Sequence, residues 1–192
     1  MRRTLLNLTL LLCLPAVALA QASPVHVVIE TTAGDIEVAV DVARAPGTAA
    51  NFLRYVDAKR YDGGRFHRAV RLDNQVRKDV LIEVIQGGLP AGQTGDGPIA
   101  LERTRDTGLR HVDGAISMAR SGPDTAVSDF FICIGDQPSL DFGGARNADG
   151  QGFAAFGRVV RGMDVVRTIQ AGATNDREQL VEPVTIRRVY RR

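Results

Sequence analysis

The sequence predicts a mainly β protein, a closed antiparallel barrel with helices laid over it. Three observations carry that prediction. Short runs of β-branched, aromatic and alternating residues recur from Val25 to Tyr190. Only two stretches have helical periodicity, and they lie far apart in the chain. Strands and helices do not alternate regularly, which disfavours a parallel βαβ design.

Taken in order, Val25–Glu30 and Gly34–Val40 flank Thr-Thr-Ala and read as a hairpin, with Ile36, Val38 and Val40 on one face and Asp35 and Glu37 on the other. Pro46 suits a first helical turn. Ala49, Phe52, Leu53 and Val56 recur at helical spacing, so 47–58 is expected as an amphipathic helix. Strands are expected over 66–71 and 80–86, joined by a polar surface loop at Leu72–Asp79. The Gly- and Pro-rich 89–98 is loop, and 99–102 a short strand. Gly114–Ala119 and Phe130–Gly135 are apolar strands. Residues 136–152, with four glycines, form a long excursion before a strand at 153–160. Met163–Gln170 is a second helix closed by Gly172, and Val184–Tyr190 alternates as the last strand.

Of the 192 residues, 44% are hydrophobic and 24% charged, a composition ordinary for one globular domain with a sizeable core. The N-terminus is the exception. Arg2 and Arg3 precede an apolar run at Leu5–Leu14, and Ala18-Leu19-Ala20 offers the small residues of a signal-peptidase site. The expected division is a signal peptide over 1–20, with Ala22 as second choice for the cut, and one domain over 21–192. The run is too short to read as a spanning helix, so no membrane attachment is expected after cleavage, and export implies a periplasmic location in a Gram-negative cell. Loss of Arg2 and Arg3 takes the basic residues from 24 to 22 against 22 acidic ones, and the net charge from +2 to zero. A neutral mature chain argues against nucleic-acid binding. Loss of Cys13 leaves Cys133 alone, without an internal disulfide, in the apolar run Phe-Phe-Ile-Cys-Ile where it reads as a small buried hydrophobe.

Hydrolase and metal signatures are missing. There is no Gly-x-Ser-x-Gly and no His-Glu-x-x-His, and His26, His67 and His111 are dispersed. Ser117, Ser121 and Ser128 have no histidine tied to them by spacing, and Asn147-Ala-Asp149-Gly150 lacks the glutamate that closes a calcium loop. Neither a metal nor a cofactor is expected. His26 reads as a strand-surface residue and His111 as a structural hydrogen-bonding one.

The centre of interest is Tyr61–Arg68. A turn, Asp62-Gly63-Gly64, feeds a strand on which period-two alternation places Phe66 and Arg68 on one face and His67 on the other. That is a cationic fork beside an apolar surface, either a solvated arginine passing a core residue or a fixed donor at a pocket.

Separated blocks decide between these readings. They are Tyr61-Asp-Gly with Phe66-His67-Arg68; Val84-Ile85-Gln86-Gly87-Gly88; Gly114-Ala-Ile-Ser-Met118-Ala119-Arg120; Ser128-Asp-Phe-Phe131-Ile132; and Phe156-Gly157-Arg158-Val159 followed by Gly162-Met163. In this order and at these separations the chain resembles the cyclophilin-type peptidyl-prolyl cis-trans isomerases over the whole of its expected mature length. Asn51-Phe52-Leu53 and the stretch from Pro98 to His111 match as well. The resemblance implies an eight-stranded closed antiparallel barrel capped by two helices, no cofactor, and catalysed rotation about X–Pro bonds in peptides and unfolded proteins. It assigns the electrophilic contact to Arg68 and a contact with substrate backbone to Gln86. The prolyl pocket falls to Phe66, Val84, Phe131, Leu140 and Phe153, and the backbone at Ala119 and Arg120 is where substrate lies. Against the family's best-known members, Glu83 and Ser139 stand at often aromatic positions, Phe153 replaces a His or Tyr, Asp129 a glutamine and Arg120 an asparagine. The loop after Gly88 is shorter and Leu72–Asp79 longer.

The expectation is an exported, monomeric prolyl isomerase acting on proline-containing peptides and unfolded proteins. The alternatives are a peptide-holding chaperone of low turnover on the same barrel, and an envelope scaffold that only docks a partner.

Overall fold

The structure is a computed structural model and describes residues 22–192. The expected signal segment and Cys13 lie outside the described residues. Eight strands close into one antiparallel barrel: β1 (Val25–Thr31), β2 (Gly34–Val40), β3 (Arg65–Val70), β4 (Val84–Gly88), β5 (Ala115–Met118), β6 (Phe130–Cys133), β7 (Ala154–Arg161) and β8 (Gln179–Arg191). Their order around the barrel is β1-β2-β7-β5-β6-β4-β3-β8, with β8 bonded back to β1. Helices α1 (Pro46–Asp57) and α3 (Met163–Gln170) pack on the barrel, and a single turn, α2 (Thr104–Thr107), lies between them.

The barrel strands build two apolar layers because their residues alternate sides. Inward go Phe66, Ala69, Ile85, Ile116, Met118, Phe130, Ile132 and Phe156, joined by Phe52 from α1 and by Tyr61. Their rings interlock: Phe130 meets Phe52, Tyr61 and Phe66 edge-on at centroid distances of 5.6, 5.4 and 5.8 Å. Outward go Val70, Val84, Ala115, Phe131 and Cys133, which join Ile82 and Leu140 in a second, smaller cluster. The barrel is thus filled inside and greasy on one patch outside. Cys133 belongs to the outer layer, fully buried, and burial pushes its thiol well above the ordinary range.

Elements differ from expectation where long-range bonds outweigh local signals. The short strand expected at 99–102 is a single bridge, Ile99 to Ala126. Glu102 instead reaches back to cap α1, accepting from the Gly47 and Thr48 amides at 3.0 and 2.7 Å. That satisfies donors for which Ala45, at the N-cap position, has no side-chain acceptor. Strand β4 begins at Val84, not 80, because the Ile82 amide donates to Gln75 Oε1 at 3.0 Å. Strand β8 begins at Gln179, five residues early, and carries Pro183 inside it. The proline is tolerated because β3 pairs Phe66 with Val184 and Arg68 with Gln179, leaving the residues between out of the ladder. The excursion at 136–152 contains a 3-10 turn, Pro138–Leu140.

The most consequential difference lies on β3. Phe66 faces Gly87 and Arg68 faces Gln86, so His67 is an extra residue, a β-bulge. Phe66 and Arg68 therefore point to opposite sides, not to one face as the alternation predicts. Gly87 makes room for this: a Cβ there would stand 2.8 Å from the Phe66 ring.

Candidate active site

The outer apolar cluster forms the floor of a cavity of about 430 Å³. Arg68, Val84, Gln86, Ala119, Arg120, Phe131, Leu140 and Phe153 all line it. Phe66 does not. It is fully buried inside the barrel against Phe130, which corrects its expected place in the prolyl pocket. The bulge is the reason.

Each lining group is held by an identifiable partner. Val84 and Gln86 share one face of β4, and Phe131 stands opposite Gln86 on β6. Leu140 comes from the 3-10 turn, and its carbonyl accepts from the Phe153 amide at 3.0 Å, placing the two beside each other. The Phe153 ring meets Phe131 edge-on at 5.3 Å, with the Arg120 guanidinium 5.0 Å above it. That guanidinium is spent on the Asp149 carboxylate and the Gly152 carbonyl, and the Arg120 side chain is only 1% exposed. What Arg120 shows to solvent is therefore backbone.

At one side of the floor stands Arg68, its side chain 26% exposed. Its Nε donates to Glu178 Oε2 at 3.0 Å, Nη2 donates to the same oxygen, and Nη1 donates to Gln86 Oε1 at 3.0 Å. A guanidinium has five N–H donors, so two remain, one on each Nη. Gln86 is fixed at both ends, because its Nε2 donates to Asp129 Oδ2 at 3.2 Å. His67 Nε2 lies 3.5 Å from the same carboxylate oxygen. Arg146 is a third arginine in the lining, beside Arg68 and Arg120. Burial, and the charges of Arg68 and Arg77, lower its pKa, against the opposing pull of Glu178.

Beneath Phe131 runs a buried polar chain. The His111 ring stacks on Phe131 at 5.8 Å, its Nε2 lies 3.0 Å from Ser117 Oγ, and its Nδ1 lies 2.7 Å from Asp141 Oδ1. Ser117 and His111 are shut away from solvent, so the trio supports the floor and offers no nucleophile to a substrate. Burial alone would raise the Asp141 carboxyl, but hydrogen bonds from the His111 ring and backbone outweigh it and hold the carboxyl below the ordinary range. A carboxyl lowered by folding adds stability above its unfolded value, about 3.9, and that stability is lost as pH falls through the lower folded value. Asp141→Asn is expected to be less stable at neutral pH and to lose less on acidification, read as Tm from about pH 6 down to about pH 2.5. A fall as steep as the wild type's would show that Asp141 does not contribute.

Residues 26–191 match the family described as cyclophilin type peptidyl-prolyl cis-trans isomerase/CLD. The chain belongs to the cyclophilin family. It is 37% identical to peptidyl-prolyl cis-trans isomerase A of Dickeya dadantii over 163 residues, 83% of this chain and 78% of that protein. It is 34% identical to a peptidyl-prolyl cis-trans isomerase of Streptomyces antibioticus over 165 residues, 82% of this chain and 93% of that one. A crystal structure of a Cryptosporidium parvum cyclophilin-type isomerase shares the fold, with a TM-score of 0.72 at 22% identity over 88% of this chain and 98% of that one. This cyclophilin is accordingly a peptidyl-prolyl cis-trans isomerase, with its barrel closed as the resemblance implies.

Parts of the cyclophilin's cavity region were missed or placed differently by the sequence reading. Ile82 supplies an apolar wall, and its signal was present, since it shares period two with Val84 and Gln86. Glu83, at the often aromatic position, stays out of the lining and accepts from Gln170 Nε2 at 3.3 Å. Ser117 and Glu178 are hydrogen-bonded to His111 and Arg68. Glu178 lies 110 residues from its partner, and nothing local in the sequence ties the two. No group of metal-ligating side chains occurs among the described residues.

Proposed function

We propose that this cyclophilin turns X–Pro bonds by seating the prolyl ring on Phe131, Val84, Ile82, Leu140 and Phe153 while the spare N–H donors of Arg68 address the prolyl nitrogen. Amide resonance sets a barrier of roughly 18–20 kcal/mol. As the bond twists, the nitrogen lone pair leaves conjugation and becomes an acceptor. A donor fixed at that point helps the twisted state more than either planar state, which is what lowers a barrier. Arginine fits because its fork is rigid and permanently charged. Gln86 aligns the peptide backbone, together with the main chain at Ala119 and Arg120.

The observation that carries the reading is the juxtaposition of a guanidinium having two uncommitted donors with an apolar hollow on the barrel's outer face. The substrates are proline-containing segments of unfolded proteins, and the site is assembled from one chain, as a monomer requires. Residues 1–20 direct export, and the mature chain works in the periplasm. The support is the Arg-Arg, apolar, Ala-Leu-Ala order of the sequence. Among the described residues no helix is long and apolar enough to cross a membrane.

Exchange NMR on an X–Pro peptide with the purified 21–192 chain is expected to show cis–trans exchange far faster than the uncatalysed tens to hundreds of seconds. A rate no faster than peptide alone, with aggregation of an unfolding client still suppressed in light scattering, would favour the holding chaperone instead. N-terminal sequencing of the periplasmic product is expected to begin at Gln21. An intact Met1 would overturn the export reading.

A further inference from the structure

Glu178 is 4% exposed and sits in the turn that leads into β8. Its backbone φ is +63°, a left-handed conformation that disfavours any residue with a Cβ. Neighbouring bonds build that turn: the Glu178 amide donates to the Asn175 carbonyl at 3.1 Å, and the Gln179 amide to Asn175 Oδ1 at 3.0 Å. Glycine would occupy the turn more cheaply, so the retained side chain needs a reason. Its two oxygens supply one. Oε2 receives both Nε and Nη2 of Arg68, and Oε1 receives the Val76 amide at 2.9 Å. Both oxygens are used, and each ties a different segment.

We propose that Glu178 is a positioning residue for isomerisation: it clamps one side of the Arg68 guanidinium so that the two remaining donors can point only over the hollow. The inference rests on the reading of Arg68 as the donor to the prolyl nitrogen. Gln86 closes the other side. An arginine side chain held at one point swings, and held at two it does not, so the donors need no reorganisation at the moment of reaction. The clamp also joins the active site to the surface loop. Val76 belongs to the segment between β3 and β4, and that segment is fastened in turn to the long excursion. There Arg146 donates to Gln75 Oε1 at 3.3 Å and to the Val80 carbonyl, and Arg77 donates to the carbonyls of Ala145 and Arg146. The loop 72–82, the excursion and the β8 turn thereby set the aim of one side chain.

The decisive variant is Glu178→Gln, which keeps an acceptor for the Val76 amide but removes the charge. It is expected to lower kcat on an X–Pro peptide about tenfold while KM stays within about twofold, because a positioning group acts mainly in the transition state. Glu178→Asp is expected to recover part of the loss. Combined with Arg68→Ala, it should cost nothing beyond Arg68→Ala alone, since the two act as one unit. Wild-type kcat in Glu178→Gln with an unchanged melting curve would overturn the proposal, as would a further tenfold loss in the double variant. A readout independent of turnover is the Arg68 Nε–H signal in side-chain NMR of the full mature chain. It is expected to be slowly exchanging in the wild type and broadened in Glu178→Gln. If the wild type proves inactive, the donor reading fails, while this signal still decides whether the clamp exists.

Discussion

Arg68→Ala is expected to lower kcat/KM for X–Pro peptides by about 10²–10³, the usual effect of deleting one preorganised donor at a site of developing charge, or roughly 2.7–4 kcal/mol of transition-state stabilisation. KM should change little, because the apolar floor of Val84, Phe131 and Leu140 stays in place. Arg68→Lys should rescue poorly. An ammonium keeps the charge but cannot occupy Glu178 and Gln86 and also present donors in the same plane. The substitution also costs stability. Glu178 accepts from Arg68, and its carboxyl is held below the ordinary glutamate range: burial pushes it up, but the Val76 amide and the Arg68 side chain prevail. Without Arg68 that buried carboxylate is left short of donors, at a cost of about 1–3 kcal/mol. This cost should be largest above the ordinary glutamate pKa, near 4.3, and should vanish as acid neutralises the group. Stopped-flow or exchange-NMR rates checked against thermal melts would separate the two effects. A variant that melts like the wild type and turns over like it would remove Arg68 from both roles.

The largest effect on stability is expected two strands away, at Phe130→Ala. Phe130 is fully buried at the meeting point of the Phe52, Tyr61 and Phe66 rings. Truncating a buried phenylalanine typically costs 3–5 kcal/mol, a large share of the roughly 5–15 kcal/mol that holds a domain together. Tm should fall by on the order of 10 °C at the roughly 2–4 °C per kcal/mol of a domain this size. Its neighbour provides the control. Phe131→Ala removes a ring of the same size from the outer cluster, where it touches the cavity. It should raise KM strongly and cost less stability. If both variants lost stability equally and kept KM, the division into an inner and an outer layer would be wrong.

Much of this was legible in the sequence, and what was not has a physical reason. Period-two alternation locates most strands because it reports burial on one side, and Met163–Gln170 falls where 3.6-residue spacing places it. The same alternation misplaces Phe66, because a bulge inserts one residue and reverses every side downstream. No residue type announces a bulge at His67. The helix at 46–57 was visible, but its cap was not, since Glu102 stands 55 residues away from Gly47. Glu178 was invisible for the same reason. Composition and spacing describe neighbours in the chain, whereas caps and clamps join segments that only the fold brings together. The hollow was legible through resemblance, and Arg68, Gln86 and Phe131 do converge there. The partners that hold each of them were found only in three dimensions.

Because β8 is bonded to both β1 and β3, the barrel leaves, among the described residues, no strand with a row of open amide donors and acceptors for a visiting polypeptide. On the proposed reading a guest is gripped through its proline ring and a handful of main-chain contacts, and it cannot lengthen into the sheet. An unfolded client rich in sticky β segments can therefore be serviced and released without its helper becoming a template for aggregation.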